Sequence, residues 1–510
     1  MPARSRLPRR RTSGAAVILA ASIVCAPLAN GQATDRPSNA VISARLDSAM
    51  NYLMRLDLSP GAGIVVVRDT QIVYMKGFGY ADAEAKRPFT PETGFYIAST
   101  TKSFTGLAAA LLDRKGAFKL DAPLNRYLPD LKLKSPLDAD SITILSLLTH
   151  THGITNGGPV TIRLAYSGEY NGNAELLKFL ETHEAAKTGR DYNYGNIGYN
   201  VAALAMDEVT GKSWKDVLQA EVFAPLGMKR TSAYVSKFAR ADLATPYRLG
   251  LEGWMPVPYG KTDANMQSAG GLITTLRDMG TWLEVHINNG RVDGKPVLPA
   301  AVFEEAHSAL AVTDRPAGAG KQIGYGLGWN IVVVGSDTML VHGGGFPGFT
   351  TNMSFIPSRG IGVAIFANNG SLGGGIADIG TAMAYEILTG GEMKLPAPPE
   401  RIPEMANQVR ERVKADLTRR AARPQDLQFP LDAYTGVFEN PVMGHLRIDK
   451  VGGKLEARFG AAWSAIEVFD NTKNQLRFEL FGSGEVVDVK MEDGKAMSYS
   501  IGGFDFKRAK

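Results

Sequence analysis

Cysteine is all but missing. The 510 residues hold one, Cys25, inside an apolar run near the start. With that segment set aside, a disulfide framework, a thiolate metal site and a cysteine nucleophile are all excluded. A chain without crosslinks must be held by its core alone, which a 510-residue sequence that is 44% hydrophobic can supply. The same length exceeds what one core organises, so two or three domains are expected. Acidic residues are absent from the first 33 positions, which carry five arginines. The run "GAAVILAASIVCAPLA" that follows them is too short for a comfortable membrane span. Basic, apolar and then small residues ("NGQA") make the layout of a secretory signal, with Ala33 its last residue. The expected location is therefore periplasmic or secreted, with no membrane span in the mature chain.

An excess of one charge is also lacking. The sequence has 56 basic and 51 acidic residues. Subtracting the five arginines of the leader leaves 51 against 51. No nucleic-acid or anionic-surface partner is implied.

Several familiar chemical motifs are missing as well. No Gly-x-Ser-x-Gly elbow occurs. "GAGKQ" at 318–322 fails as a phosphate loop, because Gln322 stands where Ser or Thr is needed and Arg315 where the first glycine should be. His150-x-His152 is not followed by further ligands at metallo-hydrolase spacing, so a structural role is expected and no metal or cofactor is assigned. His183, His286, His307 and His445 have no evident partner in the sequence and read as packing or surface residues.

What is present falls into three textures. "SARLDSAMNYLMRLD" reads as an amphipathic helix, and "GAGIVVVRDTQIVYMKGFGYAD" as a hairpin turning at Arg68–Gln71. Helices and Gly/Pro-rich loops fill the middle. Short strands return in "YGLGWNIVVV", "TMLVHGGG", "TNMSFIP" and "GVAIFANN". This order suggests one sheet built from both ends of a domain, with a helical region inserted. "KLPAPPERIP" and a charged helical stretch then form a connector. Beyond it, eight short alternating strands with tight turns suggest a small antiparallel barrel. The boundaries read as signal 1–33, first domain 34–392, linker 393–425 and barrel 426–510.

The stretch "IASTTKSF" (97–104) opens an alanine-rich apolar helix. Ser99 and Lys102 lie three residues apart, on one helical face. If that face is buried, the ammonium is disfavoured and a neutral lysine can serve as base to the serine hydroxyl. On an exposed helix start the same pair would be a cap and a solvated lysine.

The surrounding block, "RPFTPETGFYIASTTKSFTGLAAALLDRKGAFKLDAPLNRYLP", resembles the serine β-lactamase and penicillin-binding-protein family, in particular its class C-like branch of DD-carboxypeptidases, D-aminopeptidases and esterases. "LSLLTHTHGI", "YNYGNIGYNVAALAMDEVTG", "GGLITTLRDMGTW", "YGLGWN" and "VHGGGFPGFTTNMSFIP" follow in the family's order, so the resemblance spans about residues 40–390. It implies an α+β fold, an antiparallel sheet flanked by helices with a helical insert. It implies Ser99 as nucleophile, Lys102 as its base and Tyr194 as the group that protonates the leaving group. Asn196 would orient the substrate amide. A frame shifted by two would substitute Tyr192 for Tyr194. His342, Gly343 and Gly344 match the third motif, where many relatives carry Lys-Thr-Gly, and the N–H groups of Gly345 and Ser99 would form the oxyanion hole. Histidine there is a weaker, pH-dependent cation for a substrate carboxylate, which leans away from a dedicated β-lactamase. The C-terminal strands resemble the lipocalin-like domains of some relatives.

The function so implied is an exported serine hydrolase working through an acyl-enzyme without cofactor. Its expected substrates are small peptides with D- or non-standard residues, of peptidoglycan or non-ribosomal type. An esterase or β-lactamase of the same fold is the near alternative, and a non-catalytic binding protein the distant one. An oligomer is possible.

Overall fold

A computed structural model describes residues 37–510, except 156–157, 259, 319, 371, 373, 394–400 and 481–483. The expected signal, most of the proline-rich stretch and the Gly482-Ser483 turn lie outside the described residues.

The first domain is organised by a nine-stranded sheet. Its strands are β1 (Gly61–Arg68), β2 (Gln71–Asp82), β3 (Arg87–Pro88), β4 (Ala311–Ala317), β5 (Gly320–Tyr325), β6 (Asn330–Val334), β7 (Asp337–Phe346), β8 (Phe349–Ile356) and β9 (Ile361–Ala367). They pair antiparallel in the order β4-β5-β6-β7-β8-β9-β1-β2-β3. The first and last thirds of the domain therefore meet at β1 and β9, where Ile64 opposes Ile365. The β-branched run of β1 is buried on both faces, which is why it reads as continuous rather than alternating. Val65 and Val67 join one core with α2 (Thr101–Arg114), α3 (Ile197–Thr210) and α4 (Leu276–Ile287). Ile64 and Val66 join another with α1 (Asn39–Arg55), α5 (Gly380–Leu388) and the start of α6 (Ile402–Ala421). Removing Ile64's side chain beyond Cβ would cost about 2–5 kcal/mol in such a setting.

The hairpin β4–β5 was not foreseen. "TDRPAGAGKQ" looks like a polar loop, but the two strands pair as far as Ala317↔Gly320, and Gln322 accepts a hydrogen bond from Arg315 Nε at 3.0 Å. The anticipated turn at Asp69 is present, with φ +59°. Helix α2 is buried from Thr101 through Leu112. Its small residues let the loop at Leu327–Gly328 come close. A Cβ at Gly328, φ +82°, would overlap the backbone of Ser103.

Helix α6 is charged along its length, as its sequence suggests. Its first turn packs Ile402 and Ala406 into the second core, and Arg420, near its end, bonds Glu467 and lies 2.8 Å from Glu479 in the barrel. No described helix is long and apolar enough to cross a membrane.

The C-terminal sheet has nine strands rather than eight. They are β10 (Gly436–Asn440), β11 (Gly444–Val451), β12 (Lys454–Phe459), β13 (Ala462–Ala465), β14 (Glu467–Asp470), β15 (Gln475–Phe478), β16 (Glu485–Glu492), β17 (Lys495–Ile501) and β18 (Phe504–Arg508), in the order β13-β12-β11-β10-β18-β17-β16-β15-β14. The additional strand arises because "AIEVFD" (465–470) is divided. Ala465 ends β13, Ile466 turns its N–H to Leu455 O at 3.0 Å, and β14 begins at Glu467. Because β13 and β14 are the two ends of the sheet, that break brings its edges together and nearly closes the barrel. Tyr434, Phe438, Phe459, Phe478, Tyr499 and Phe506 fill the interior.

Candidate active site

Ser99 sits in a 3-10 turn, Ala98–Thr100, just before α2. From Thr93 to Leu112 every residue is buried except Ser99, which is partly exposed. The turn is held under strain. Ala98 has φ +48°, left-handed for a residue with a Cβ. The neighbours impose it: Ile97 N–H bonds Leu272 O at 3.0 Å, and Thr351 Oγ1 and Thr100 Oγ1 both donate to Ile97 O, at 3.1 and 2.8 Å.

Lys102 is fully buried one turn along. Its Nζ lies 2.8 Å from Asn196 Oδ1, 2.8 Å from Ala269 O and 3.2 Å from Ser99 Oγ. Burial lowers its pKa to about 7. Two of the three neighbours are carbonyl oxygens and can only accept. As an ammonium, Nζ donates to all three; once neutral, its two protons can go to the carbonyls, which would leave the lone pair for the Ser99 hydroxyl. The buried alternative of the sequence reading is the one observed.

Asn196 ends the loop that enters α3, and Tyr194 precedes it by two residues. The Tyr194 ring centroid is 4.9 Å from Lys102 Nζ. Burial raises its pKa to about 12, opposed by a hydrogen bond with Ser99, so the phenol keeps its proton at neutral pH. Tyr192 is placed differently: its ring carries the Arg315 guanidinium at 4.8 Å. Of the two frames, only that of Tyr194 meets Lys102.

Sequence spacing gave no hint of how Tyr194 is fixed. His150, φ +63°, grips the backbone on both sides of it. Its carbonyl accepts from Asn193 N–H at 2.9 Å, its Nδ1 accepts from Gly195 N–H at 3.3 Å, and its ring lies 4.6 Å from that of Tyr194. His152 caps its own turn, accepting from Ile154 N–H at 3.0 Å. Among the described residues no three His, Cys, Asp or Glu side chains converge to hold a metal ion. His286 and His307 pair at 2.8 Å inside an aromatic core, and His445 faces Glu169 at the surface.

Strand β7 forms the remaining wall. Its pairing with β6 ends at Asn330↔Val341, while pairing with β8 continues through Phe346. Residues 342–345 thus project past β6 beside Ser99. Gly343 and Gly345 face outward and are exposed; Gly344 is buried. A Cβ on Gly344 would overlap Ile97 O and Thr351 Oγ1, so glycine is needed for the strand to lie on the Ser99 turn. At Gly345 a Cβ would meet nothing within 4 Å, which leaves room for a ligand backbone.

His342 departs from expectation. It is 2% exposed, enclosed rather than open to solvent. Nδ1 lies 2.7 Å from Gly343 O, an acceptor, so it carries the proton; Nε2, 3.2 Å from Tyr325 Oη, accepts. Burial and the nearby Lys102 push its pKa down to about 3. The imidazole is a neutral support for Tyr325, 5.9 Å from the Tyr194 ring.

A serine beside a buried amine, a protonated tyrosine and an exposed glycine edge form a group able to carry out acyl transfer. A family model described as Beta-lactamase matches residues 47–383, well over half of the chain. The chain belongs to the Beta-lactamase family. As a member of this family it is a serine hydrolase. Unguisins hydrolase ungD' of Aspergillus campestris is 30% identical over 416 residues, which covers 76% of this chain and 74% of that protein. The octameric penicillin-binding protein homologue from Pyrococcus abyssi is similar in fold, with TM-score 0.58, 22% identity and coverage of 91% of this chain and 99% of that one. D-amino acid amidase from Ochrobactrum anthropi SV3 matches with TM-score 0.58 and 24% identity, over 69% of this chain and 98% of its own.

Proposed function

We propose that the chain is an exported amide hydrolase that works through an acyl-enzyme on Ser99, with peptides containing D- or non-standard residues as substrates. The observation that carries this reading is the placement of Lys102 Nζ, buried 3.2 Å from Ser99 Oγ with two carbonyl acceptors at 2.8 Å to take the protons of a neutral amine. Ser99 Oγ bonds to the substrate carbonyl carbon as its proton passes to Lys102. The carbonyl electron pair moves to oxygen, where the N–H groups of Ser99 and Gly345 receive it. As that pair returns, the C–N bond breaks and the leaving nitrogen takes a proton from Tyr194. The proton gained by Lys102 restores the phenol. Asn196, which bonds the amine, would also orient the substrate amide. Water repeats the sequence on the ester and frees Ser99.

The substrate class rests on likeness. One relative is named as an unguisins hydrolase, and a structural neighbour as a D-amino acid amidase. The neutral His342 agrees with it, since the site lacks at that position the fixed cation that would hold a β-lactam carboxylate. Export rests on the leader at 1–33, and assembly into an oligomer on the octameric homologue.

Intact-mass measurement after exposure to a fluorophosphonate tests the reading. Wild type is expected to gain one adduct and Ser99→Ala none. D- and L-residue amides, p-nitrophenyl esters and nitrocefin then rank the bond cleaved. A folded wild type that gains no mass and turns over nothing would make this a binding protein.

A further inference from the structure

A second inward-turned lysine stands at the other end of the exposed edge of β7. Lys261 Nζ donates to Ala165 O at 2.7 Å, reaches Asn265 O only at 3.5 Å, and lies 3.7 Å from the ring centroid of Phe346 and 4.9 Å from that of Tyr96. Tyr166 packs on Phe346 at 5.6 Å. Lys261, Tyr166 and Phe346 are each partly exposed, and Phe346 follows the exposed Gly345. Phe346 thus sets the three at the end of that edge, one residue past Gly345.

No carboxylate among the described residues reaches this amine within 4.0 Å. Asp263, two positions on, gives its oxygens to Ser236 N–H and Oγ, at 3.0 and 2.6 Å. Glu169 faces Arg163 and His445, at 3.9 and 3.7 Å. An ammonium has three protons to place, and Lys261 has one close carbonyl. Burial pushes its pKa well below the usual lysine range, as expected of a cation lacking a counter-ion.

The position gives the missing anion an address. Tyr194, the proton donor to the leaving group in the function proposed above, stands by His342. Phe346 is four residues further along the strand, about 13 Å away. If the leaving group lies at the His342 end, the acyl part of the substrate runs toward Lys261. We propose that Lys261, with Phe346 and Tyr166 as its walls, binds a carboxylate carried on the acyl part of the substrate. The enzyme then favours amides of acidic residues or of dicarboxylic acids over their neutral analogues. This inference rests on the acyl-enzyme reading for its orientation.

The barrel takes part in the subsite. Ala165, whose carbonyl holds Lys261, belongs to the turn 163–168. Arg163 Nε and Nη2 both donate to Val442 O, at 3.1 and 2.9 Å, and Ala461 N–H donates to Ser167 O at 3.0 Å. Asn265 Nδ2 fastens the loop after Lys261 to Tyr166 O at 3.0 Å.

The test uses the full chain and two fluorophosphonates whose alkyl chains differ only at the end, carboxylate in one and primary carboxamide in the other. Mass spectrometry gives the labelling rate of Ser99 by each, so no turnover is required. Wild type is expected to react with the carboxylate probe about 10–100-fold faster, the range of a charge-assisted hydrogen bond. In Lys261→Met the ratio falls to about one, and in Lys261→Arg a part of it persists. Equal rates in wild type, or a Lys261→Met variant that slows both probes in proportion and keeps the ratio, overturn the subsite while leaving Ser99 chemistry in place. A wild type labelled by neither probe overturns the acyl-enzyme reading itself.

Discussion

Lys102 and Lys261 occupy the two ends of one strand edge, and among the described residues neither meets a carboxylate. Burial alone lowers the pKa of both. Their acceptors differ. Around Lys102 two short carbonyl contacts use the protons of the neutral amine and aim what is left at Ser99. Around Lys261 one carbonyl is close and two rings flank the amine, so its remaining hydrogens have no carbonyl acceptor at comparable distance. The same side chain can serve as a base where two carbonyls take the protons of its neutral form beside a hydroxyl, and can receive an anion where one carbonyl leaves it short of acceptors. Burial is common to both; the second-layer oxygens decide.

The most severe way to break this contrast is Lys102→Met. Labelling of Ser99 by either probe should fall by at least about a thousandfold, as when a member of a cooperating catalytic group is removed. A Lys102→Met enzyme that still acylates at near wild-type rate would deny the base its task. The pH profile sharpens the contrast with a smaller effect. Acylation needs the neutral amine, so the wild-type rate should climb about tenfold per pH unit below about 7 and level off above it. Lys261→Met should keep that limb at the same pH; a limb that moves with Lys261 would assign the titration to the wrong lysine. The smallest effect is expected from Gly460→Ala. Gly460, φ +55°, lies against Ser167, and a Cβ there would overlap the Ser167 carbonyl. Strain of about 1–3 kcal/mol should lower the thermal midpoint and reduce the carboxylate preference, without shifting the pH limb.

The two lysines also mark what could be read in the sequence. Ser99-x-x-Lys102 is local, and helical spacing alone places both groups on one face. Burial of that face follows from the alanine-rich run behind it. Tyr194 and Tyr192 could not be separated by spacing, because the deciding neighbours, Lys102 and Arg315, come from about 90 residues before and 120 after. His342 was read as a titrating cation because its type is visible and its enclosure is not; Tyr325 Oη and Gly343 O make it neutral. Lys261 sits in "YGKTDANM", which has the texture of a solvated loop. Its setting depends on Phe346 and on a turn clamped by the barrel, contacts that no local pattern encodes. The sheet of the first domain was anticipated from the order of its β-rich stretches. The hairpin β4–β5 was not, since glycine and proline mask it, and neither was the break at Ile466 that nearly closes the barrel.

The pairing of β1 with β9 has a consequence for the order in which the chain can fold. The partner of β1 begins at Ile361, 293 residues after β1 ends at Arg68. At about 5–20 residues per second, a ribosome needs roughly 15–60 s to deliver it. During that interval the hairpin of β1 and β2 has one unsatisfied edge, rich in valine and isoleucine. Contacts this distant in sequence form slowly, because loop closure must precede their reward. The seventh of the nine strands in the finished sheet is thus made among the first and secured among the last.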